Sequence, residues 1–205
     1  MAFKKLKNVD SIDLSFNEMT ELSYLDLTDS LKIFSLDFRA NKIEIIKKSF
    51  WAGIGFLKIL HLTQNNLISI EPSENILNHL LKVNLNLNQL NLLNEDMLKM
   101  SNLIEINMEN NNIERIETFS RHLNNFYILD LSRNKINFID YFAFKNLTKL
   151  SKLFMHDNLI KNISFLQNIP NLVILNMHNN LIETLTTENF QNMIHLEKLF
   201  LRNNK

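Results

Sequence analysis

The 205-residue chain contains no cysteine, only two glycines and two prolines. The absence of cysteine excludes a disulfide framework and any thiolate metal site. Two glycines cannot build a phosphate-binding loop or a dinucleotide fingerprint, because Gly53 and Gly55 have no third glycine beside them. No apolar stretch approaches the roughly 18 residues of a membrane-spanning helix. We therefore expect no membrane insertion within this segment.

The chain also has no excess of either charge, since 22 acidic side chains balance 22 basic ones. A neutral chain lacks the positive field with which nucleic-acid-binding proteins neutralise phosphates, so we expect no nucleic-acid partner. What is abundant is leucine, isoleucine and asparagine, with 36, 23 and 33 copies. An apolar fraction of 45% is enough for a hydrophobic core.

One pattern recurs along the chain. Nine stretches have the form LxxLxLxxN, in which Val, Ile, Phe or Met replaces some of the leucines. They end at Asn17, Asn41, Asn65, Asn88, Asn111, Asn134, Asn158, Asn180 and Asn204, so the repeat is 22 to 24 residues long. When the first apolar residue is numbered 1, position 9 is asparagine in all nine units. Positions 1, 4, 6, 11 and 14 are apolar in every unit that contains them.

This pattern resembles the leucine-rich repeat family over the whole chain. Two later units also carry the Phe and following Leu or Met of its 24-residue typical subclass, as Phe144 with Leu147 and Phe190 with Met193. The resemblance implies an α/β solenoid, a curved right-handed horseshoe with a parallel β-sheet on its concave face and irregular or short helical segments on the convex side. It also implies a recognition role, as in Toll-like receptor ectodomains. The 22-residue unit with Ile163 to Leu166 is similar to a shorter intracellular subclass instead.

The repeat has a physical explanation independent of the resemblance. Alternation at positions 3 to 7 predicts a short strand whose residues 4 and 6 point inward, and stacked units then share one core. Position 9 follows the strand, where the bend leaves backbone N–H and C=O groups without partners. An asparagine amide can satisfy both kinds of group, because it donates and accepts hydrogen bonds. We predict that all nine asparagines form a structural ladder. Residues 1–205 are interpreted as a single array of about nine repeats, an internal fragment uncapped at both ends.

If positions 4 and 6 face inward, positions 3, 5, 7 and 8 face the concave surface. In the last three units this surface gathers aromatic, cationic and titratable groups, and we predict partner binding by Phe154, His156, Asp157, Asn176, His178, Phe200 and Arg202. Aromatic and Arg side chains are the types enriched at binding hot spots. The alternative is that the two Phe rings pack on each other across Asn176, or against a following unit. A second patch, Asp10, Asp13 and Asp37 beside Arg39, is interpreted as an ordinary solvated face.

His156 and His178 lie on adjacent rungs, and with Asp157 they suggest a metal site. Zinc takes four ligands, however, and nothing in the sequence fixes position 8 to point with position 7. We therefore interpret them as two solvated histidines and expect no metal and no cofactor. Two N-glycosylation acceptors occur at Asn146 and Asn162, a number expected by chance.

The sequence thus predicts a module that binds a protein or glycoconjugate on its concave face. The resemblance implies a receptor-like or secreted innate-immune or adhesion protein at the cell surface or outside the cell. The alternative is a cytoplasmic scaffold or regulatory protein, which the lack of cysteine and the 22-residue unit favour. We expect no enzyme, because no nucleophile, base and orienting group occur at informative spacing. The oligomeric state is left open.

Overall fold

A computed structural model describes residues 6–23, 32–52, 54, 56–71, 78–92, 100–119, 123 and 125–205. The strands are, in chain order, β1 (Ser11–Asp13), β2 (Glu21–Leu22), β3 (Ser35–Asp37), β4 (Ile45–Ile46), β5 (Ile59–His61), β6 (Ser69–Ile70), β7 (Lys82–Asn84), β8 (Glu105–Asn107), β9 (Arg115–Ile116), β10 (Ile128–Asp130), β11 (Phe138–Ile139), β12 (Lys152–Phe154), β13 (Ile174–Asn176) and β14 (Lys198–Phe200). The three-residue strands occupy positions 3 to 5 of successive units and form one nine-stranded parallel sheet, in the order β1-β3-β5-β7-β8-β10-β12-β13-β14. The predicted parallel-sheet solenoid is confirmed.

The register of the main sheet joins equivalent positions of neighbouring units. Leu129 of β10 pairs with Leu153 of β12, which pairs with Leu175 of β13. Each of these position-4 side chains is completely buried, as are the position-6 methionines Met155 and Met177. In-register stacking therefore converts one inward residue per unit into a continuous apolar column.

The rest of each unit returns the chain with little regular structure. Residues at positions 13 and 14 form two small parallel sheets, β2-β4-β6 and β9-β11. The described helical segments are short: α1 (Lys48–Ala52), a 3-10 helix (Ser164–Asn168) and α2 (Thr187–Phe190). Position 14, which is apolar in every unit that contains it, is buried at Leu22, Ile46, Ile116 and Ile163, whereas Leu185 is 56% exposed.

The asparagine at position 9 joins each unit to the one before it. The Asn41 Nδ2 donates to the Phe38 carbonyl of its own unit at 3.1 Å and to the Leu14 carbonyl of the preceding unit at 2.9 Å. Its Oδ1 accepts from the Met19 backbone N–H at 3.0 Å. The same three contacts recur at Asn65, Asn88, Asn111, Asn134, Asn158, Asn180 and Asn204. Asn17 is exposed, and its amide contacts only carbonyls of its own unit within the described residues.

The residue before each ladder asparagine adopts a left-handed backbone conformation. The φ angles lie between 52° and 58° at Phe16, Ala40, Gln64, Leu87, Asn110, Arg133, Asp157, Asn179 and Asn203. This conformation costs roughly 1–2 kcal/mol for most L-residues. The backbone at position 8 therefore has the same conformation in all nine units. In one of them, Asp157 lies close to the position-7 histidines His156 and His178.

Candidate functional site

The candidate site is the concave face of β12, β13 and β14. Their position-5 residues lie in register, with Asn176 between Phe154 and Phe200. Phe200 is 47% exposed, while Phe154 and Asn176 are half-buried. No aromatic contact in the described part of the chain joins the two Phe rings, so they do not pack on each other across Asn176. Both occupy the concave position of their strands. Exposure in β14 is not confined to that side, since the inward Leu199 is 42% exposed, so packing of Phe200 against a following unit stays the alternative.

The two position-7 histidines of this surface are in direct contact. The His156 and His178 rings stack with centroids 4.5 Å apart and planes 15° apart. The Nδ1 of His178 lies 2.7 Å from the Asn176 Oδ1, an acceptor, so Nδ1 carries the proton in this contact. The Nδ1 of His156 is buried and has no hydrogen-bond partner. One imidazole is thus oriented by its neighbour, and the other retains an unsatisfied nitrogen.

Burial and charge determine the protonation state of His156. Burial lowers its pKa below the usual value, and the neighbouring His178 lowers it further. Asp130, Asp157 and Glu109 act in the opposite direction without cancelling these effects. The imidazole of His156 is therefore neutral at neutral pH.

Asp157 reaches the histidines because of its left-handed backbone. One carboxylate oxygen accepts a hydrogen bond from the Asn179 amide, and the other lies 3.6 Å from the Arg133 Nε. The hydrogen bond from Asn179 is the main cause of a lowered pKa at Asp157, which is accordingly ionised. The guanidinium of Arg133 also lies 3.3 Å from the Glu109 carboxylate.

Four further residues border this surface that were not among the predicted partner-binding residues: Glu109, Asp130, Arg133 and Asn179. Glu109 and Asp130 occupy the concave columns at positions 7 and 5 of the two preceding units, whereas Arg133 and Asn179 occupy position 8. Arg202 follows β14, is exposed, and forms no ion pair among the described residues. The predicted residues of β12 to β14 therefore lie on one face, enlarged by charged groups of two earlier units.

The patch at the other end of the sheet is internally paired. The Arg39 Nε lies 2.9 Å and 2.8 Å from the two oxygens of Asp37. The Asp13 carboxylate accepts from the Ser15 backbone N–H at 2.8 Å, and hydrogen bonds from Ser15 lower its pKa. Asp10 lies just before β1. These contacts agree with the interpretation of the patch as a solvated face.

The two glycosylation acceptors differ in the availability of their amide nitrogens. The Asn146 Nδ2, the atom to which a glycan would be attached, donates to the Phe119 carbonyl at 2.8 Å. Asn162 is exposed and uses its Oδ1 instead, accepting from the Ser164 N–H at 2.8 Å. Its Nδ2 makes no hydrogen bond among the described residues, so Asn162 is the more accessible acceptor.

An open groove of about 620 Å³ lies at the side of the solenoid, beside position 2 of four units. Tyr127, Ser151 and Glu197 line it, and the Ser151 hydroxyl is buried there without a hydrogen-bond partner. None of the predicted partner-binding residues borders this groove. Separately, the described residues include no helix that is both long and apolar enough to cross a bilayer.

Comparison with known proteins agrees with the repeat geometry. Residues 124–182 match the family model described as leucine rich repeat. Human leucine-rich repeat-containing protein 66 is 34% identical over 68 residues, which are 33% of this chain and 8% of that protein. A chain in the crystal structure of the TLR13–ssRNA13 complex has a TM-score of 0.89 at 21% identity, covering 97% of this chain and 30% of that chain. A chain in the Drosophila Toll–Spatzle complex has a TM-score of 0.73 at 20% identity, covering 99% and 34%.

The register, the inward apolar columns and the asparagine ladder define a repeat solenoid whose units fold by stacking on one another. The chain matches the leucine rich repeat family model over residues 124–182 and has the fold of leucine-rich repeat proteins over its length. All but one of its repeat steps are 23 or 24 residues long, which is consistent with the typical subclass. The family and fold are typical of non-enzymatic protein-interaction modules. The chain spans about a third or less of the length of the relatives named above.

Proposed function

We propose that the chain is a recognition module that binds a protein or glycoconjugate on the concave face of β12 to β14. The observation that carries the proposal is the pair of Phe rings that face the concave side without contacting each other. Phe200 is 47% exposed on the concave sheet, and Arg202, two residues away, is exposed and forms no ion pair among the described residues. Apolar rings beside an exposed guanidinium form the kind of anchor that dominates binding energy in protein interfaces.

The backbone beneath these side chains favours binding because it is rigid before the partner arrives. The ladder residues Asn158, Asn180 and Asn204 lie four residues after the position-5 residues of the same three units and fix the bends that follow the strands. A preformed surface loses less conformational entropy on association than a flexible one. Specificity then resides in the side chains at positions 5, 7 and 8, which vary while the scaffold repeats.

The structural neighbours support a macromolecular partner. Two of them are described as complexes between proteins, the Toll–Spatzle complex and the LRIM1/APL1C complex. The TLR13 structure contains single-stranded RNA instead. We favour a protein or glycoconjugate for this chain, because its equal numbers of acidic and basic side chains provide no field for phosphates.

We also propose that the parent protein is extracellular or displayed at the cell surface, with a cytoplasmic scaffold as the alternative. Glycan occupancy decides between them, and Asn162 is the more accessible of the two acceptors. Glycosidase treatment of the native protein should increase its electrophoretic mobility, and Asn162→Gln should remove most of that shift. Asn146→Gln is the matched control and should remove little, because its Nδ2 is engaged by the Phe119 carbonyl. An unshifted native protein favours the cytoplasmic alternative.

Site-directed photo-cross-linking tests the concave face. A photoreactive phenylalanine replaces Phe200 in the full-length protein expressed in its own cells. The control position is Phe142, which is equally exposed (48% against 47%) but lies in the return segment after β11. We expect one partner to be captured from position 200 and not from position 142. Equal capture from both positions contradicts a concave site.

The captured partner then provides a quantitative test. Phe154→Ser combined with Phe200→Ser should weaken its affinity at least about tenfold, since both apolar anchors are lost. Circular dichroism should show that the double variant remains folded. A folded double variant with unchanged affinity overturns the assignment of these residues to the binding surface.

A further inference from the structure

His156, Asp157 and His178 form a compact group of metal-ligating side chains. Each offers one ligand atom, and the three atoms lie within 4.8 Å of one another. Ligands of one tetrahedral zinc ion are about 3.3 Å apart, because Zn–N bonds are about 2.0–2.1 Å long. All three side chains are only half-buried, so rotation of their χ angles can close the remaining gap.

Hydrogen bonding leaves a free nitrogen on both imidazoles. The contact between the His178 Nδ1 and the Asn176 Oδ1 uses one nitrogen as a donor and leaves the Nε2 lone pair available. This is the arrangement in which a metal-ligating histidine is held by a second group. The His156 Nδ1 is buried and has no hydrogen-bond partner among the described residues, which is unfavourable for a polar atom. A bound cation supplies a partner that the protein itself does not.

The charges around the group favour a cation. Asp130, Asp157 and Glu109 all act electrostatically on His156, and Arg133 is the cation paired with two of these carboxylates. Three carboxylates and the guanidinium of Arg133 thus surround the group, and the exposed Arg202 follows His178 on the next rung of the same column. Neutral imidazole and ionised carboxylate are the states that a metal ion requires of its ligands.

We propose that His156, Asp157 and His178 bind one divalent transition-metal ion of the class that prefers imidazole ligands, with Zn²⁺ as its representative. Two nitrogens and one carboxylate oxygen suit Zn²⁺, Cu²⁺ or Ni²⁺ better than Mg²⁺ or Ca²⁺, which take oxygen ligands. The three protein ligands leave the remaining coordination positions open toward the concave face. Water, or a donor atom of a bound partner, completes the coordination there.

Arg133 competes with the metal ion for Asp157. Its Nε lies 3.6 Å from a carboxylate oxygen of Asp157, but its side chain is 59% exposed and also contacts Glu109. Metal binding therefore releases the guanidinium to Glu109 or to solvent. Replacing Arg133 should therefore strengthen metal binding, whereas replacing a ligand should weaken it. A general loss of folding would weaken binding in both cases, so the opposite signs distinguish coordination from unfolding.

Isothermal titration of the metal-free chain with ZnCl₂ at neutral pH tests the site. We expect one equivalent of Zn²⁺ to bind, and His156→Gln or His178→Gln to weaken binding at least about tenfold. Asp157→Asn should weaken it less, and Arg133→Gln should strengthen it severalfold. The matched control is His61→Gln, a histidine of the same concave sheet four strands from β12, which should leave affinity unchanged.

A second readout identifies the ligands directly. With Cu²⁺ in place of Zn²⁺, the electron paramagnetic resonance spectrum should show coupling to two imidazole nitrogens, and to one nitrogen in the His178→Gln variant. Circular dichroism in the presence of EDTA confirms that each variant is folded. The proposal is overturned if the titration shows no saturable one-equivalent site, or if folded His178→Gln binds Zn²⁺ as the unmodified chain does.

Discussion

Positions 8 and 9 of the repeat are adjacent in every unit, yet they are constrained in opposite ways. Position 9 is asparagine nine times, and eight of these side chains make the same three hydrogen bonds within the described structure. Position 8 has the same left-handed backbone nine times but carries seven different residue types. At position 9 the side chain is the same in every unit, whereas at position 8 only the backbone conformation is the same. The sequence pattern therefore reveals the constraint at position 9 but not the constraint at position 8.

The two columns are physically linked. Only four of the nine position-8 residues are Asn or Asp, the types that tolerate a positive φ best. Leu87 and Arg133 occupy the same conformation without that advantage. The next asparagine compensates, because its amide donates to the position-6 carbonyls of its own unit and of the preceding unit. Position 8 is thereby free to vary, and its side chains become available for recognition, as Asp157 and Arg133 illustrate.

The largest predicted effect comes from breaking the ladder. In Asn111→Leu, the Leu85 and Met108 carbonyls and the Leu90 N–H all lose their partner. Each buried unsatisfied group costs about 1–3 kcal/mol, so the free energy of unfolding should fall by several kcal/mol. Because solenoid units depend mainly on their neighbours, hydrogen exchange should increase first in the units that contain Leu85 and Met108. Urea unfolding measures the total loss.

The matched control is Asn17→Leu at the other end of the same column. Asn17 is exposed, and its amide contacts only the carbonyls of Leu14 and Ser15 within the described residues. Urea unfolding of this variant should show a much smaller change than that of Asn111→Leu. Similar losses in the two variants would indicate that leucine is merely a poor fit at the bend, and that the hydrogen bonds between units contribute little.

The comparison of the columns also explains how far the sequence could predict the fold. The side-chain pattern LxxLxLxxN was sufficient for the parallel sheet, its inward columns and the location of the bend, because each of these depends on residue type. The left-handed backbone at position 8 was not predictable, since Phe16, Gln64 and Leu87 carry no common signal for it. The exposure of Leu185 was not predictable either, because it depends on packing and not on period.

The same limit applies to the candidate site. Positions 5 and 7 were identified from alternation alone, so Phe154, His156 and His178 were placed on the concave face. The direction of Asp157 required the backbone conformation, and without it the metal-ligating geometry could not be derived. Asn179 and Arg133, which hold the carboxylate of Asp157, were missed for the same reason.

The smallest predicted effect sharpens the comparison at position 8. Leu87 has a φ of 56° and is 43% exposed, so Leu87→Asn should relieve backbone strain with a modest loss of apolar contact. Leu87→Gln is the matched control, because it makes the same change in polarity without the left-handed preference of asparagine. We expect the asparagine variant to be more stable than the glutamine variant by about 0.5–1 kcal/mol in urea unfolding. If the two variants are equally stable, the ladder alone fixes the bend and the identity of the residue at position 8 has no energetic consequence there.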